Sequence, residues 1–361
     1  VTPLNFAIVG PGKVAHTHAR ALQVIPEATL VAVCGRHAER TRAFAEQYGA
    51  RPYAELPALL AAPKLDAVIL CTPHPLHADT AVQAARAGKH VLVEKPLAVT
   101  LSDADRMILA ARAAGVTLGV VSQRRLYESV QRVKRALQDG KLGRPVLATL
   151  SLLGWRGPEY YAMDPWRGTW DGEGGGVLVN QAVHQLDLLQ WFMGDIAELS
   201  GDWANLNHPE IEVEDTAVAT LRFASGALGS LVVSNAQNPG LWGRLHIHGE
   251  NGASVGVQTD GGSSFVAGVT AHVEPPINDL WTVPGEEHRL PEWQAEDRAR
   301  AQEVDVMTHY HRLQIEDFVR AVHGGRDPLV GGEEGRKTVE LIQAIYRAGR
   351  TRAAVRFPLP G

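Results

Sequence analysis

The sequence predicts an α/β protein that opens with a doubly wound parallel sheet, and three observations predict it. In the first third, short apolar runs nearly free of polar residues alternate with helical patterns, as strands buried on both faces do. The first run leads into Gly10-Pro11-Gly12-Lys13-Val14-Ala15, a glycine turn placed to open a helix. In the second half, runs of alternating polarity are punctuated by turn sequences, as an antiparallel meander requires. A chain of 361 residues is long enough for two domains, each with its own core.

Taken in order, the strands of the first part are Asn5–Val9, Thr29–Cys34, Ala67–Cys71, His90–Val93 and Thr117–Val121. The helical patterns between them cover Lys13–Val24, Ala38–Tyr48, His77–Ala87 and Asp103–Ala114. Ligands of such a sheet bind beyond the carboxyl ends of its strands, so those ends carry the argument. At the first, Gly10 makes the turn and Gly12 admits a pyrophosphate. The helix opening at Lys13 and Val14 offers its free N–H groups, and Ala15 lets helix and strand pack closely. A dinucleotide is the expected ligand.

The second end, Cys34-Gly35-Arg36-His37-Ala38-Glu39-Arg40, has no acid immediately after the strand to meet a ribose 2′-hydroxyl. Gly35 leaves room where an acid would stand. Arg36 and Arg40 suit the 2′-phosphate of NADP, which is favoured over NAD; the other reading is that they solvate a helix face. The third end, Thr72-Pro73-His74-Pro75-Leu76-His77, is a proline-stiffened turn that brings Thr72, His74 and His77 to the cofactor crevice. The fourth, Glu94-Lys95-Pro96, puts a charged pair after an apolar run, with the lysine backbone restricted by the following proline. Such a pair either works at the crevice or forms a surface salt bridge.

The second half continues with a helix over Ser129–Asp139 and strands at Val146–Leu153, Thr216–Phe223, Ala227–Ser234 and Arg244–His248. Residues 278–304 are polar and read as surface loop. Tyr310–Val322 and Glu333–Ala348 read as amphipathic helices able to fold back on the first domain. A loop containing Trp155, Arg156, Tyr160, Tyr161, Trp166 and Arg167 has the composition that grips sugars through aromatic faces and guanidinium groups, or it is a packed aromatic loop. It leads into Gly174-Gly175-Gly176 and then Val177-Leu178-Val179-Asn180-Gln181-Ala182-Val183-His184-Gln185-Leu186-Asp187. Read as one helix, this segment places Asn180 and His184 a turn apart in apolar surroundings, with Asp187 just beyond. A histidine there is a general base or a satisfied core residue.

Composition removes several classes of function. The formal net charge is −5, without a basic patch, so nucleic acid is not expected as a partner. The two cysteines, Cys34 and Cys71, make neither metal spacing nor a disulfide framework, which predicts no metal and fits a reducing cytoplasm. No apolar run reaches transmembrane length. The first one leads into a motif rather than a cleavage site, which argues against a signal peptide.

The Gly10–Ala15 fingerprint, Thr72-Pro73 with His77, Glu94-Lys95-Pro96, and the glycine-to-His184 segment with Asp187 occur in this order over essentially the whole chain. In this the sequence resembles the Gfo/Idh/MocA family, the glucose–fructose oxidoreductase and inositol dehydrogenase group. The resemblance implies a Rossmann domain over 1–122 and a substrate domain over 123–361. The second domain would hold a large, mostly antiparallel open sheet whose face serves a homodimer or homotetramer. It implies an NAD(P)-dependent dehydrogenase or reductase acting on a sugar, glycoside or cyclic polyol.

Hydride transfer from a secondary alcohol needs a proton acceptor and a group that stabilises the developing alkoxide. His184 suits the first role and Lys95 the second, with Glu94 holding Lys95 or touching the cofactor. In relatives the position of Asn180 is often aspartate; an amide cannot take a proton, so Asn180 orients the substrate or His184. Trp166 and Arg167 resemble a family pair near cofactor or substrate. Arg124 is a further cofactor candidate, and Tyr161 and His311 are further substrate candidates. Other readings on the same scaffold are a reductase of a sugar-derived ketone, an aromatic diol dehydrogenase, and a non-catalytic dinucleotide-binding regulator.

Overall fold

A computed structural model describes residues 2–261 and 275–360. Its contacts divide the chain into two compact units, Val1–Gln123 with Met307–Val339, and Arg124–Val306 with Glu340–Pro360. No helix among the described residues is long and apolar enough to cross a membrane.

The first unit holds strands β1 (Leu4–Val9), β2 (Ala28–Cys34), β3 (Arg51–Tyr53), β4 (Ala67–Leu70), β5 (His90–Val93) and β6 (Leu118–Val120). Their order is β3-β2-β1-β4-β5-β6, and every pairing is parallel. This is the doubly wound arrangement that the sequence predicts, with the strand order reversing between β1 and β4. The strands form because Phe6, Ala7, Ile8 and all of Val68–Leu70 are buried on both faces. The helix Leu101–Ala114 starts where Thr100 accepts a hydrogen bond from the Asp103 N–H at 3.1 Å, and ends at left-handed Gly115. Two elements lie outside the sequence expectation, β3 and the helix Leu56–Leu60, both too short to show a period. The helix Val306–Gly324 buries Ile315, Phe318 and Val319 in the same core as Phe6 and Ile8. Its Gln314 carboxamide accepts from Ser122 N–H at 2.9 Å and donates to the Val120 carbonyl at 3.3 Å, continuing past the end of β6.

The second unit is built on β7 (Pro145–Leu153), β8 (Ile196–Ala204), β9 (Thr216–Phe223), β10 (Leu228–Ser234), β11 (Trp242–Gly249), β12 (Ser254–Gly261), β13 (Ile277–Trp281) and β14 (Val355–Arg356). They run in the order β13-β12-β11-β7-β10-β9-β8-β14, antiparallel except for the β7–β10 pair. Strict alternation along β9 buries Ala217, Ala219, Leu221 and Phe223 and exposes Val218, Thr220 and Arg222. The helices Glu128–Gln138 and Val183–Met193 pack on this sheet.

Residues 278–304 are not a surface loop, and that expectation is corrected. They complete β13 and form a helix, Leu290–Glu303, with a proline in its first turn. The segment escapes a search for apolar periodicity because its inner side is one aromatic and one ion pair. Trp293 packs edge-on against Trp281 with ring centres 4.8 Å apart, and Asp297 is held by Arg132 at 2.7 Å. The single helix expected through His184 is also interrupted. A short helix, Val177–Asn180, is followed by a widened turn in which the Ala182 N–H reaches back five residues to the Val177 carbonyl at 2.8 Å. The helix Val183–Met193 then begins.

Candidate active site

In the first unit, the strand ends meet their glycine requirements. Gly10 has φ +92°, and a Cβ there would lie 2.9 Å from the Cys71 carbonyl carbon, so backbone just past β4 occupies the space a side chain would need. A Cβ on Gly12 would meet no atom within 4 Å, and no side chain caps the helix Lys13–Leu22 that follows it. Lys13 is exposed, Val14 is half-buried, and Ala15 is fully buried against the sheet. At the end of β2, Arg36 and Arg40 are exposed. Gly35 does not leave room for an acid: a Cβ there would sit 2.5 Å from Pro11 Cδ and 2.7 Å from Thr41 Oγ1.

Beyond β4, Thr72 is half-buried, and His74 is buried in a 3-10 turn, His74–Leu76. His77 is fully buried, and its two ring nitrogens face the carbonyls of Pro96 and Thr72, each at 3.0 Å. The ring therefore joins the ends of β4 and β5. Burial holds its pKa below the ordinary value, although both carbonyls and the Glu94 charge pull upward.

Past β5, the Glu94 carboxylate is buried. Its Oε1 lies 2.7 Å from His18 Nε2 and 3.8 Å from His311 Nε2, and its Oε2 accepts from the Lys95 N–H at 3.2 Å. Burial raises the Glu94 pKa, but the hydrogen bond with His18 and the nearby His311 ring overcome it and leave the carboxyl well below its usual range. Lys95 itself is half-buried. Ligand atoms of His18, Glu94 and His311 lie within 4.8 Å of one another, a grouping that invites a metal. Two ligands on a tetrahedral zinc ion are about 3.3 Å apart, whereas His18 and Glu94 are at hydrogen-bond distance, so the group is a hydrogen-bonded cluster. His311 belongs to it, with Nδ1 on the Met307 carbonyl at 2.7 Å.

In the second unit, Gly174–Gly176 leads into the helix that ends in Asn180. A Cβ on Gly176 would overlap the Glu214 backbone, so only glycine fits there. The Glu214 carboxylate accepts from the N–H groups of Gly176 at 2.9 Å and Leu178 at 3.0 Å, and from the Tyr346 hydroxyl at 3.0 Å. It is fully buried, and burial pushes its pKa up to about 7 against those hydrogen bonds. Asn180 Nδ2 donates to Glu173 and to the Tyr160 hydroxyl, the latter at 3.1 Å. That hydroxyl also accepts from Arg167 at 2.5 Å and Gln181 at 3.1 Å, and the Arg167 guanidinium lies 4.3 Å from the Tyr160 ring centre.

Arg167 is also 4.5 Å from the ring centre of half-buried Trp166, so this pair is brought to Asn180 through Tyr160. Tyr161 is buried beside it, with its hydroxyl 3.5 Å from Asn235 Nδ2. His184 is buried at the start of its helix. Asp187 is held in a buried two-pronged ion pair with Arg125, at 2.6 and 2.9 Å, and Arg125 also stacks on Trp191. Arg124, the neighbouring residue, is half-buried.

Residues 4–122 match the family described as the oxidoreductase family, NAD-binding Rossmann fold, and residues 130–255 match the GFO/IDH/MocA C-terminal domain. The chain belongs to the Gfo/Idh/MocA oxidoreductases. It is similar to the WlbA dehydrogenase of Bordetella pertussis solved with NADH and UDP-GlcNAcA, at 33% identity and TM-score 0.86 over 99% of each chain. It is 27% identical to a myo-inositol 2-dehydrogenase of Thermotoga maritima over 98% of both chains. It is 32% identical to a 1,5-anhydro-D-fructose reductase of Ensifer adhaerens over 63% of this chain and 68% of that one.

As a Gfo/Idh/MocA protein the chain is an NAD(P)-dependent dehydrogenase or reductase acting on CH–OH groups, in a family of sugar and polyol dehydrogenases. The open space at Gly12 and the uncapped helix start behind it fit a dinucleotide pyrophosphate. Glu173, Gln181 and Glu214 do not stand out in the sequence of this Gfo/Idh/MocA chain as residues of the site, and Tyr160 stands out only as a member of the aromatic loop. Glu173 lies inside Gly172-Glu173-Gly174, where the glycines read as a turn and conceal the buried acid between them.

Proposed function

We propose that this chain transfers hydride between a nicotinamide and a secondary alcohol or ketone of a sugar, glycoside or cyclic polyol, with Lys95 and His184 acting at the reacting oxygen. The observation that supports it is the place of Lys95. It follows β5 at the same carboxyl edge of the parallel sheet as the dinucleotide turn after β1, with its backbone N–H held by Glu94. The bound nicotinamide supplies the hydride acceptor, or the donor in reverse. His184 takes the hydroxyl proton on an imidazole nitrogen during oxidation and returns it during reduction. The Lys95 ammonium donates to the oxygen as negative charge builds there. Asn180 orients the substrate, with Arg167 and Tyr160 behind it.

For the cofactor, Arg36 and Arg40 support NADP(H), although the Bordetella relative was solved with NADH. The names of the relatives point to myo-inositol and UDP-GlcNAcA as first substrates to try. His184→Ala is expected to lower turnover roughly 10²- to 10⁴-fold, and Lys95→Ala about a hundredfold or more, both with dinucleotide affinity retained. Turnover and melting temperature measured on one preparation decide this. A His184→Ala protein that melts lower yet keeps its specific activity makes the residue a core histidine and sinks the mechanism.

A further inference from the structure

Glu173 has no part in the chemistry proposed above, yet it touches a side chain that chemistry uses. It is 1% exposed, and its two oxygens are engaged on different elements. Oε1 accepts from Asn180 Nδ2, and Oε2 accepts from the Gly168 N–H at 2.7 Å, next to Arg167. Asn180 Nδ2 also donates to the Tyr160 hydroxyl at 3.1 Å. The Tyr160 hydroxyl already accepts from Arg167 and Gln181, and Glu173 Oε1 and that hydroxyl both face Asn180 Nδ2, so the hydrogen-bond network assigns the amide nitrogen to this side. The neighbour thus assigns the orientation of Asn180, whose carbonyl oxygen points away from Glu173.

We propose that Glu173 is a positioning residue that holds the Asn180 amide in one orientation, so that Asn180 offers the substrate its carbonyl oxygen and not its nitrogen. This rests on the reading that Asn180 orients the substrate. The same contact dictates an amide at position 180. Aspartate there would bring two carboxylates together at a buried site, where one must take up a proton or the structure yields.

The test uses the full chain as Glu173→Gln, Asn180→Asp and the double variant, with His184→Ala as control and myo-inositol and UDP-GlcNAcA as probes. Glu173→Gln is expected to raise KM and lower kcat/KM by roughly 10- to 100-fold, with NADH and NADPH affinities unchanged. Asn180→Asp is expected to melt several degrees lower, by less at acidic pH. The double variant moves the carboxylate to 180 and the amide to 173, and should regain both melting temperature and kcat/KM relative to Asn180→Asp. Losses that simply add in the double variant overturn the proposal, as does a Glu173→Gln protein with wild-type KM and kcat. If His184→Ala is also fully active, the mechanism fails with it; if His184→Ala is dead and Glu173→Gln is normal, this inference alone falls. If the wild type oxidises neither probe, the melting cycle alone decides, and additive losses there overturn the proposal.

Discussion

At the scale of single residues, the cofactor question turns on positions just after β2. The crowding at Gly35 by Pro11 and Thr41 makes Gly35→Asp a poor probe of cofactor choice, because the new side chain must displace its neighbours before it meets any ribose. Arg36 is exposed and can be shortened without that cost. Arg36→Ala is expected to weaken NADPH binding about tenfold or more while changing NADH binding little, since a charge-assisted contact to phosphate is worth about 1.5–3 kcal/mol. Fluorescence titration of both cofactors checks this, and equal losses for the two would make Arg36 a solvating side chain. Asp187 carries the opposite lesson. It stands in line with Asn180 and His184 in the sequence, but its carboxylate is committed to Arg125.

The elements that carry the site are short and held from outside. The helix Val177–Asn180 is too brief to be stable by its own hydrogen bonds, and its amino end is fastened by Glu214. The Glu214 pKa of about 7 lies above the ordinary 4.5, so the folded chain binds that proton more tightly than the unfolded chain does. This contribution is complete below about pH 4.5 and is lost as pH rises through 7. Its upper limit is roughly 3 kcal/mol, from 1.36 kcal/mol per pKa unit. Wild-type stability in denaturant should therefore carry a component that falls from pH 5 to pH 8, and Glu214→Gln should flatten it. A variant with the wild-type slope would show that the hydrogen bonds to Gly176 and Leu178 keep the carboxylate ionised throughout.

For the whole molecule, the eight-stranded sheet presents an apolar strip. Leu147, Val218, Leu228 and Val232 are exposed on one face, with Leu228 beside Leu147 on the parallel β7–β10 pair and Val232 opposite Val218 on β9. Such a strip is what a second copy of the chain would cover. The wild type is expected to sediment as a dimer or tetramer, and Val232→Asp should shift it toward smaller species with little change in its own fold. A monomeric wild type at micromolar concentration would remove this reading.

The sequence by itself determined the Rossmann half, because its signals are local. Apolar strands, glycine at the first turn and amphipathic helices depend on residues within a few positions of one another, and β1, β2, β4, β5 and β6 lie where those patterns put them. The alternation on β9 and β10 exposed the second sheet for the same reason. Only the tertiary structure decided which buried polar groups meet. His18 with Glu94, Arg125 with Asp187, and Gly176 with Glu214 are 76, 62 and 38 residues apart, and no periodicity records such partners. Burial makes each of these groups depend on its partner, because an unpaired charge or N–H away from water is costly. The partner is supplied by the packing of distant segments, which also turned the polar stretch 290–303 into a helix and made Glu173 the neighbour of Asn180.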